Sequence, residues 1–500
     1  CENTAGVPIK ILGEHGLSIL IERGEDRLLF DTGQGMSLLP NASRLRKELS
    51  GVDRVALTTG TFGEANTDWQ KEIYQTAFAQ DHTLSFMGGL KQLPYRASLG
   101  FTNQDGILKT DNMERVTLSL NLNPTFFDDH LKVDLSVKSM LMDNRFANRG
   151  AIGGALSMDP TQETDFIWKN PDGSPLFVAP MNPLVQLNDY NDIADVSRFT
   201  GNLALEYKMH FFPALKAKLN AGLDRSASDG SVTIPVGSFL SYSTYNGEGR
   251  LTEYDQNKIN SLLDFYFDYT GEYGDHSRLN AVVGYSWQHF YRDGKTNTTS
   301  TDGFKLYEKS DYESENYLVS FFGRANYVLY DKYLFTFTLR DDGSSRFSPE
   351  TRWGLFPSAA FAWNISNEGF FGDKVVSNLK LRLGYGITGQ QNLSNDDYPY
   401  QAVYTYADPG AYYQFGNVYM QTSRAGGYDA NLKWEETTTY NVGLDYGFLN
   451  DRITGDLDLY YRQTNDLINQ VPVPAGTNLT NQIVTNVALQ AQTGHPEGAY

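Results

Sequence analysis

The chain has 500 residues, of which 13% are aromatic and only 20% charged, and its 46 Gly and 18 Pro favour many turns and strands over long helices. Sixty acidic against 41 basic side chains leave a formal charge of -19, a field that repels phosphate backbones and argues against nucleic-acid binding. A single cysteine, Cys1, rules out an internal disulfide and a Cys-rich zinc site, and no run of roughly 18 apolar residues is present to form a transmembrane helix. A transmembrane barrel, whose apolar positions alternate, is not excluded by that test.

Residues 16–30 (GLSILIERGEDRLLF) predict two buried strands around a Gly24-Glu25-Asp26 turn. A helix-like stretch over 38–49 and a third strand over 52–57 follow, an α/β rhythm confined to residues 1–62. This piece resembles the opening of metallo-β-lactamase-fold hydrolases, in which LFDTG follows the second strand. The resemblance implies a H-x-H-x-D-H metal loop after the third strand, whose imidazoles and carboxylates would hold catalytic metals. Thr58-Thr59-Gly60-Thr61-Phe62-Gly63 stands there instead, so the fragment is expected to lack the metal motif and hydrolase activity. Asp31 is read as a turn-capping carboxylate and His15 as a surface imidazole.

Beyond residue 62 the apolar residues fall at every second position, as a strand with one apolar face requires. Tyr333, Phe335, Phe337 and Leu339 share one face, with Thr336, Thr338 and Arg340 on the other. The same holds for Val116, Leu118, Leu120 and Leu122, for Leu203, Leu205, Tyr207, Met209 and Phe211, and for Leu379, Leu381, Leu383 and Tyr385. About fourteen such segments are expected, of the eight-to-fourteen-residue length a tilted membrane strand needs. Their second faces mix Ser, Thr, Asn, Gly, Tyr and single charges, which suits a wet lumen better than a solvated sandwich.

Connections alternate too. Phe126 to Asp129, Phe212-Pro213, Tyr330 to Lys332 and 447–451 predict tight turns, whereas 142–200, 224–257, 291–314 and 389–433 predict long loops, the pattern of a barrel with short inner and long outer connections. Phe126, Phe127, Phe211, Phe212, Tyr330 and Tyr333 crowd strand ends, where rings sit at a bilayer interface. With Phe126 to Asp129 on the periplasmic side, the strand near 81–88 runs inward. The fold class is therefore all-β, a partial antiparallel transmembrane barrel of about fourteen strands behind a small α/β fragment.

Long stretches carry a second resemblance: NTDWQKEIYQTAFAQDHTLSFMGG (66–89), YRASLGFTNQDGILKTDNMERVTLSLNLNP (95–124), LRDDGSSRFSPETRWGLFPSAAFAWNISNE (339–368), LKLRLGYGITGQQN (379–392) and LKWEETTTYNVGLDYGFLNDRITGDLDLYYRQTNDLI (432–468). Residues 63–487 resemble the SusC/RagA family of TonB-linked outer-membrane transporters. The resemblance implies a 22-stranded barrel occluded by an N-terminal plug, in the bacterial outer membrane, importing oligosaccharides or peptides with TonB and a SusD-like surface lipoprotein as partners. Where the plug belongs, the hydrolase-like piece stands, so the chain resembles a chimera joined between Thr58 and Asn66. Residues 488–500 depart from the family as a divergent tail. With plug and barrel end missing, this stretch alone is expected to be non-functional in TonB-coupled transport, with two open sheet edges.

Substrate recognition in such a transporter is expected on extracellular loops, where aromatic rings stack on sugars. Tyr412, Tyr413, Phe415 and Tyr419 in the loop 389–433 are the candidate substrate-binding residues, with packing inside the loop as their other role. Asp341 to Arg346 (DDGSSR) predicts a strand-to-loop transition in which Gly343 takes a positive φ and Asp342 bonds a backbone N–H. Glu435 and Glu436 point to opposite faces of a strand and cannot flank one bond. No Ser-His-Asp or G-x-S-x-G arrangement is present. No catalytic, cofactor or metal residue is assigned, and the chain is not expected to be an enzyme. Two alternatives stand beside the transporter: a metallo-β-lactamase-fold hydrolase, and a soluble glycan-binding β-protein.

Overall fold

In the computed structural model the described residues are 18–23, 26–31, 54–56, 63–90, 93–170, 173–176, 179–372, 375–392, 397–406, 412–478, 481–487 and 490–494. The N-terminal piece contributes β1 (Ser18–Arg23), β2 (Asp26–Asp31) and β3 (Arg54–Ala56), a separate three-stranded sheet. β1 and β2 pair antiparallel, Ser18 opposite Asp31, while β3 lies parallel to β2, Leu29 opposite Val55. A parallel pair needs a crossover connection. The helix expected over 38–49 falls in that connection and lies outside the described residues.

The alternating segments form one antiparallel sheet. It opens with β4 (Ala79–Leu90), β5 (Leu93–Asp105), β6 (Asn112–Leu122), the two-residue β7 (Thr125–Phe126) and β8 (Leu131–Phe146). β9 (Asn191–Lys208), β10 (Leu215–Ile234), β11 (Arg250–Tyr273), β12 (Ser277–Thr299) and β13 (Leu306–Leu329) form its tall centre, followed by β14 (Tyr333–Ser344), β15 (Trp353–Asn364) and β16 (Val376–Gln390). The loop after β16 holds β17 (Tyr404–Tyr406), β18 (Tyr412–Phe415), β19 (Val418–Gln421) and β20 (Ser423–Ala425), paired as β17 with β20 and β18 with β19. β21 (Glu435–Phe448) and β22 (Ile453–Asn465) return to the wall. Next come the hairpin of β23 (Leu467–Pro472) and β24 (Gln482–Val487), and then β25 (Gln490–Gly494), which pairs with β22. The wall counts 16 strands; all but β7 and β25 are 11 to 24 residues long, which leaves the fourteen that the alternation predicts. Among the described residues β4 and β25 are its edges, and the sheet is not closed.

Turn chemistry separates the two rims. At the inner rim Phe127, Asp128 and Asp129, then Tyr330 and Asp331, then Leu449, Asn450 and Asp451 all have positive φ, the left-handed geometry that lets a hairpin follow the twist of its strands and that Asp and Asn tolerate best. At the outer rim two of the expected long loops are corrected. Residues 224–257 and 291–314 are mostly strand, because β10 and β11 pair without interruption from Leu215↔Tyr269 to Ile234↔Arg250, and β12 and β13 continue to Thr299↔Leu306. Strand length is corrected with them: β11 and β13 reach 24 residues rather than at most fourteen. Their outer halves carry no apolar alternation, yet the ladder pairing persists.

The register shows which way the faces point. Leu205, Leu219, Phe265, Tyr285 and Phe321 form one row across β9 to β13, and Ala204, Asn220, Asp264, Ser286 and Ser320 form the next. Phe321 is 53% exposed and Phe337 56%, whereas Ser286 is 5% and Ser320 1% exposed. Large apolar side chains thus cover the outside and polar ones line the inside, the reverse of a water-soluble sheet. Of the six rings expected at strand ends, Phe126, Phe127, Phe211, Phe212 and Tyr330 are exposed at the inner rim, and Tyr333 is half-buried there.

Two apolar clusters consolidate the outer rim. The short helix Trp69–Ile73, capped by the Asp68 carboxylate accepting from Lys71 N, buries Trp69 and Ile73 against Leu108 and the helices Gly150–Ser157 and Pro183–Asn188 of the loop 147–190. Trp69 Nε1 donates to the Asp159 carbonyl at 2.9 Å. This places residue 69 at the outer end, so β4 does run inward, as expected. The second cluster joins Phe347, Phe356, Leu432 and Trp434.

Candidate functional site

The inner face is a continuous polar ladder. Glu206 accepts from Lys216 and Lys218 at 2.9 and 3.2 Å, and Lys218 also reaches Asp268 at 3.0 Å. Two rows away, on the same face, Ser286 Oγ donates to Asp264 Oδ1 at 2.6 Å, and Asn220 Nδ2 to Asp264 Oδ2 at 3.2 Å. Arg340 Nη2 donates to Ser320 Oγ at 2.7 Å while its Nε holds Asp342. Paired charges of this density cost little where water reaches them, and they present alternating donors and acceptors to a hydrated solute.

The four loop aromatics singled out from sequence sit on one exposed hairpin, β18 with β19, but the hairpin divides them. Tyr413 and Phe415 share a face, their ring centroids 4.8 Å apart, together with Met420 and Val418 opposite them. Tyr412 and Tyr419 lie on the other face. All four are exposed, and strand alternation makes two small platforms of them rather than one.

Asp397 is the residue that sequence reasoning missed. It lies in the same loop, its side chain only 2% exposed, and its carboxylate accepts from Arg346 Nη2 at 2.8 Å, Arg292 Nη2 at 3.3 Å, Asn316 Nδ2 at 3.3 Å and the Ser314 hydroxyl. The neighbouring Tyr398 hydroxyl donates to the Glu315 carbonyl. The loop is therefore anchored to the inner side of β12 and β13 by a buried charge. A lone Asp in a polar loop gives no signal of this, because its partners are more than 50 residues away in sequence.

The DDGSSR expectation is corrected. Gly343 remains in β14 without a positive φ, and it is Gly because the Trp353 ring lies over it, 2.9 Å from where a Cβ would stand. Asp342 binds the Arg340 guanidinium rather than a backbone N–H. Arg346, the last residue of the motif, is the one that reaches Asp397. Glu435 and Glu436 open β21, and Glu435 Oε2 accepts from Ile468 N at 3.0 Å.

An antiparallel wall with an apolar outside, a polar inside, short inner turns and long outer connections is that of an outer-membrane β-barrel. The chain belongs to the TonB dependent receptor-like, beta-barrel family, whose model matches residues 143–494. It is 44% identical over 456 residues to TonB-dependent receptor SusC of Bacteroides thetaiotaomicron, covering 85% of this chain and 45% of that protein. It is 30% identical over 457 residues to TonB-dependent receptor P3 of Formosa agariphila, covering 84% and 43%. Its fold matches the RagAB peptide importer in the open-open state with a TM-score of 0.73 at 21% identity, over 88% of this chain and 49% of the other. The chain thus spans about half the length of the relatives it matches, and membership places it in the bacterial outer membrane.

Proposed function

We propose that this chain forms part of the wall and the recognition loops of a SusC-like importer, which takes up oligosaccharides or peptides through its polar lumen with TonB and a SusD-like surface lipoprotein as partners. One observation carries the reading: the exposed apolar row of Phe265 and Phe321 backs directly onto the hydrogen-bonded polar row of Asp264, Ser286 and Ser320. Lipid stabilises the first, and a water-filled conduit suits the second. The hairpin carrying Tyr412, Tyr413, Phe415 and Tyr419 stands at the outer rim, where rings can stack on sugars or side chains before entry. The task is passage of a solute, not bond chemistry.

Expressed in the outer membrane of a Gram-negative host, the chain should resist extraction by urea and bind labelled oligosaccharides or peptides saturably. Recovery in the soluble fraction without detergent would instead support a soluble glycan-binding β-protein and sink the importer reading.

A further inference from the structure

Above the lipid-facing girdle, the register sets Arg198, Ser226, Lys258, Arg292 and Ser314 side by side on the lumen face of β9 to β13. Arg198 is consumed by a bidentate pair with Asp224, at 2.8 and 2.7 Å. Lys258 is exposed, and no acidic group pairs with it among the described residues. Beside it opens a cavity of about 260 Å³ lined by Lys258, Phe290, Arg292, Asn316, Arg346 and Gln391 among others.

Three cations, Lys258, Arg292 and Arg346, border this cavity in a chain of net charge -19, and the carboxylate paired with them among the described residues is Asp397, which the two arginines share. The exposed Lys258 ammonium, beside two arginines that already share one carboxylate, favours an anionic group in the cavity. An anion in the cavity accepts from Lys258, and the Phe290 ring offers a face for a sugar or apolar group. Planar forked donors fit a carboxylate, and Asp397 already demonstrates the fit by holding two guanidiniums at once.

We propose that this cavity is a carboxylate-binding subsite of the lumen, so that the imported solute carries an acid group, either a uronate or a peptide carboxylate. The inference rests on the importer reading above and narrows its substrate class. Asp397 is the internal competitor: a solute acid shares the arginines with it and thereby loosens the loop 391–434 from the wall.

The purified full chain in detergent is titrated with four probes: trigalacturonate, its neutral counterpart galactotriose, an N-acetylated tripeptide acid and the same tripeptide amide. At least one acid should bind about tenfold more tightly than its neutral partner, as expected for one charge-assisted interaction, and the member that wins identifies the source. Lys258→Gln, at an exposed and unpaired position, should remove that preference without disturbing the fold. Asp397→Asn should strengthen acid binding several-fold, and saturating acid should speed chymotryptic cleavage near Tyr412 and Tyr413 in the unsubstituted chain. Equal binding of acid and neutral partners, with Lys258→Gln unchanged, overturns the subsite and leaves the importer reading standing. Binding of none of the four overturns the subsite and also removes this support for solute import.

Discussion

The Arg382 guanidinium of β16 lies 3.0 Å from the Asp458 carboxylate of β22, although β21 runs between the two strands. It also holds Asp445 of β21 at 2.8 Å. The passage exists because Gly443, the register partner of both Arg382 and Asp458, has no side chain: a Cβ there would stand 2.7 Å from Arg382 Cζ and 2.5 Å from Asp458 Oδ1. Gly443→Ala should therefore break the Asp458 link while leaving Asp445 paired, at a cost of about 1.5–3 kcal/mol for a charge-assisted hydrogen bond. Arg382→Lys, which has one point of attachment, should cost a similar amount. Urea unfolding of the detergent-bound chain measures both. If Gly443→Ala leaves the midpoint unchanged, the three-strand bridge is not stabilising.

At the inner rim Glu368 ties three elements together, accepting from the Tyr333 hydroxyl at 2.6 Å, Lys332 Nζ at 2.9 Å and Trp363 Nε1 at 3.0 Å. These donors, the Tyr333 hydroxyl foremost, hold its pKa down to about 2. A carboxyl with a lowered folded-state pKa stabilises the fold fully above its unfolded pKa, roughly 4.3, and loses that contribution as pH falls toward about 2. Denaturant midpoints of the wild type should drop across that window more steeply than those of Glu368→Gln, which cannot titrate. Parallel pH profiles would remove Glu368 as the acid-sensitive tie. Lys332 works in the opposite sense: its pKa is raised by the same carboxylate, so its contribution is present below its usual pKa and lost on going above it.

How far the sequence reveals this architecture depends on what each feature requires locally. Alternation at Phe335, Phe337 and Leu339 survives in any single strand, so the wall, its strand number and its inner turns were legible. The upper halves of β10 to β13 were not: residues such as Ser228, Asp255, Thr296 and Ser310 face water on one or both sides, and polar strand reads the same as polar loop. The aromatic loop could be named, but the division of Tyr413 from Tyr412 required knowing that a hairpin forms there. Asp397 and Arg346 are ordinary residues in sequence, and only the packing of the loop after β16 against the connection between β14 and β15 brings them to 2.8 Å.

The hairpin division is itself testable. Tyr413 and Phe415 touch, so their effects on ligand affinity should be coupled by about 0.5–1.5 kcal/mol in a double-mutant cycle of alanine substitutions. Tyr412 and Tyr413 occupy opposite faces, and the same cycle on that pair should give additive effects. Oligosaccharide or peptide affinity of the three single and two double variants decides the matter. Strong coupling of Tyr412 with Tyr413 would mean that the rings act as one platform.

The two faces of β14 give the most direct check on orientation in the membrane. Phe337 and Leu339 are exposed on the outside, while Thr338 between them faces the lumen opposite Arg324. Phe337→Arg puts a cation into hydrocarbon and should cost about 2–4 kcal/mol near the bilayer midplane. Thr338→Arg adds the same side chain one residue away, yet it points into a wet interior that already holds Arg324 and Arg340, so it should cost far less. Folding yield into lipid vesicles, read from heat-modifiable migration on gels, should collapse for the first variant and persist for the second. Equal yields would place both faces in the same solvent, and the distinction between a lipid side and a lumen side would be lost.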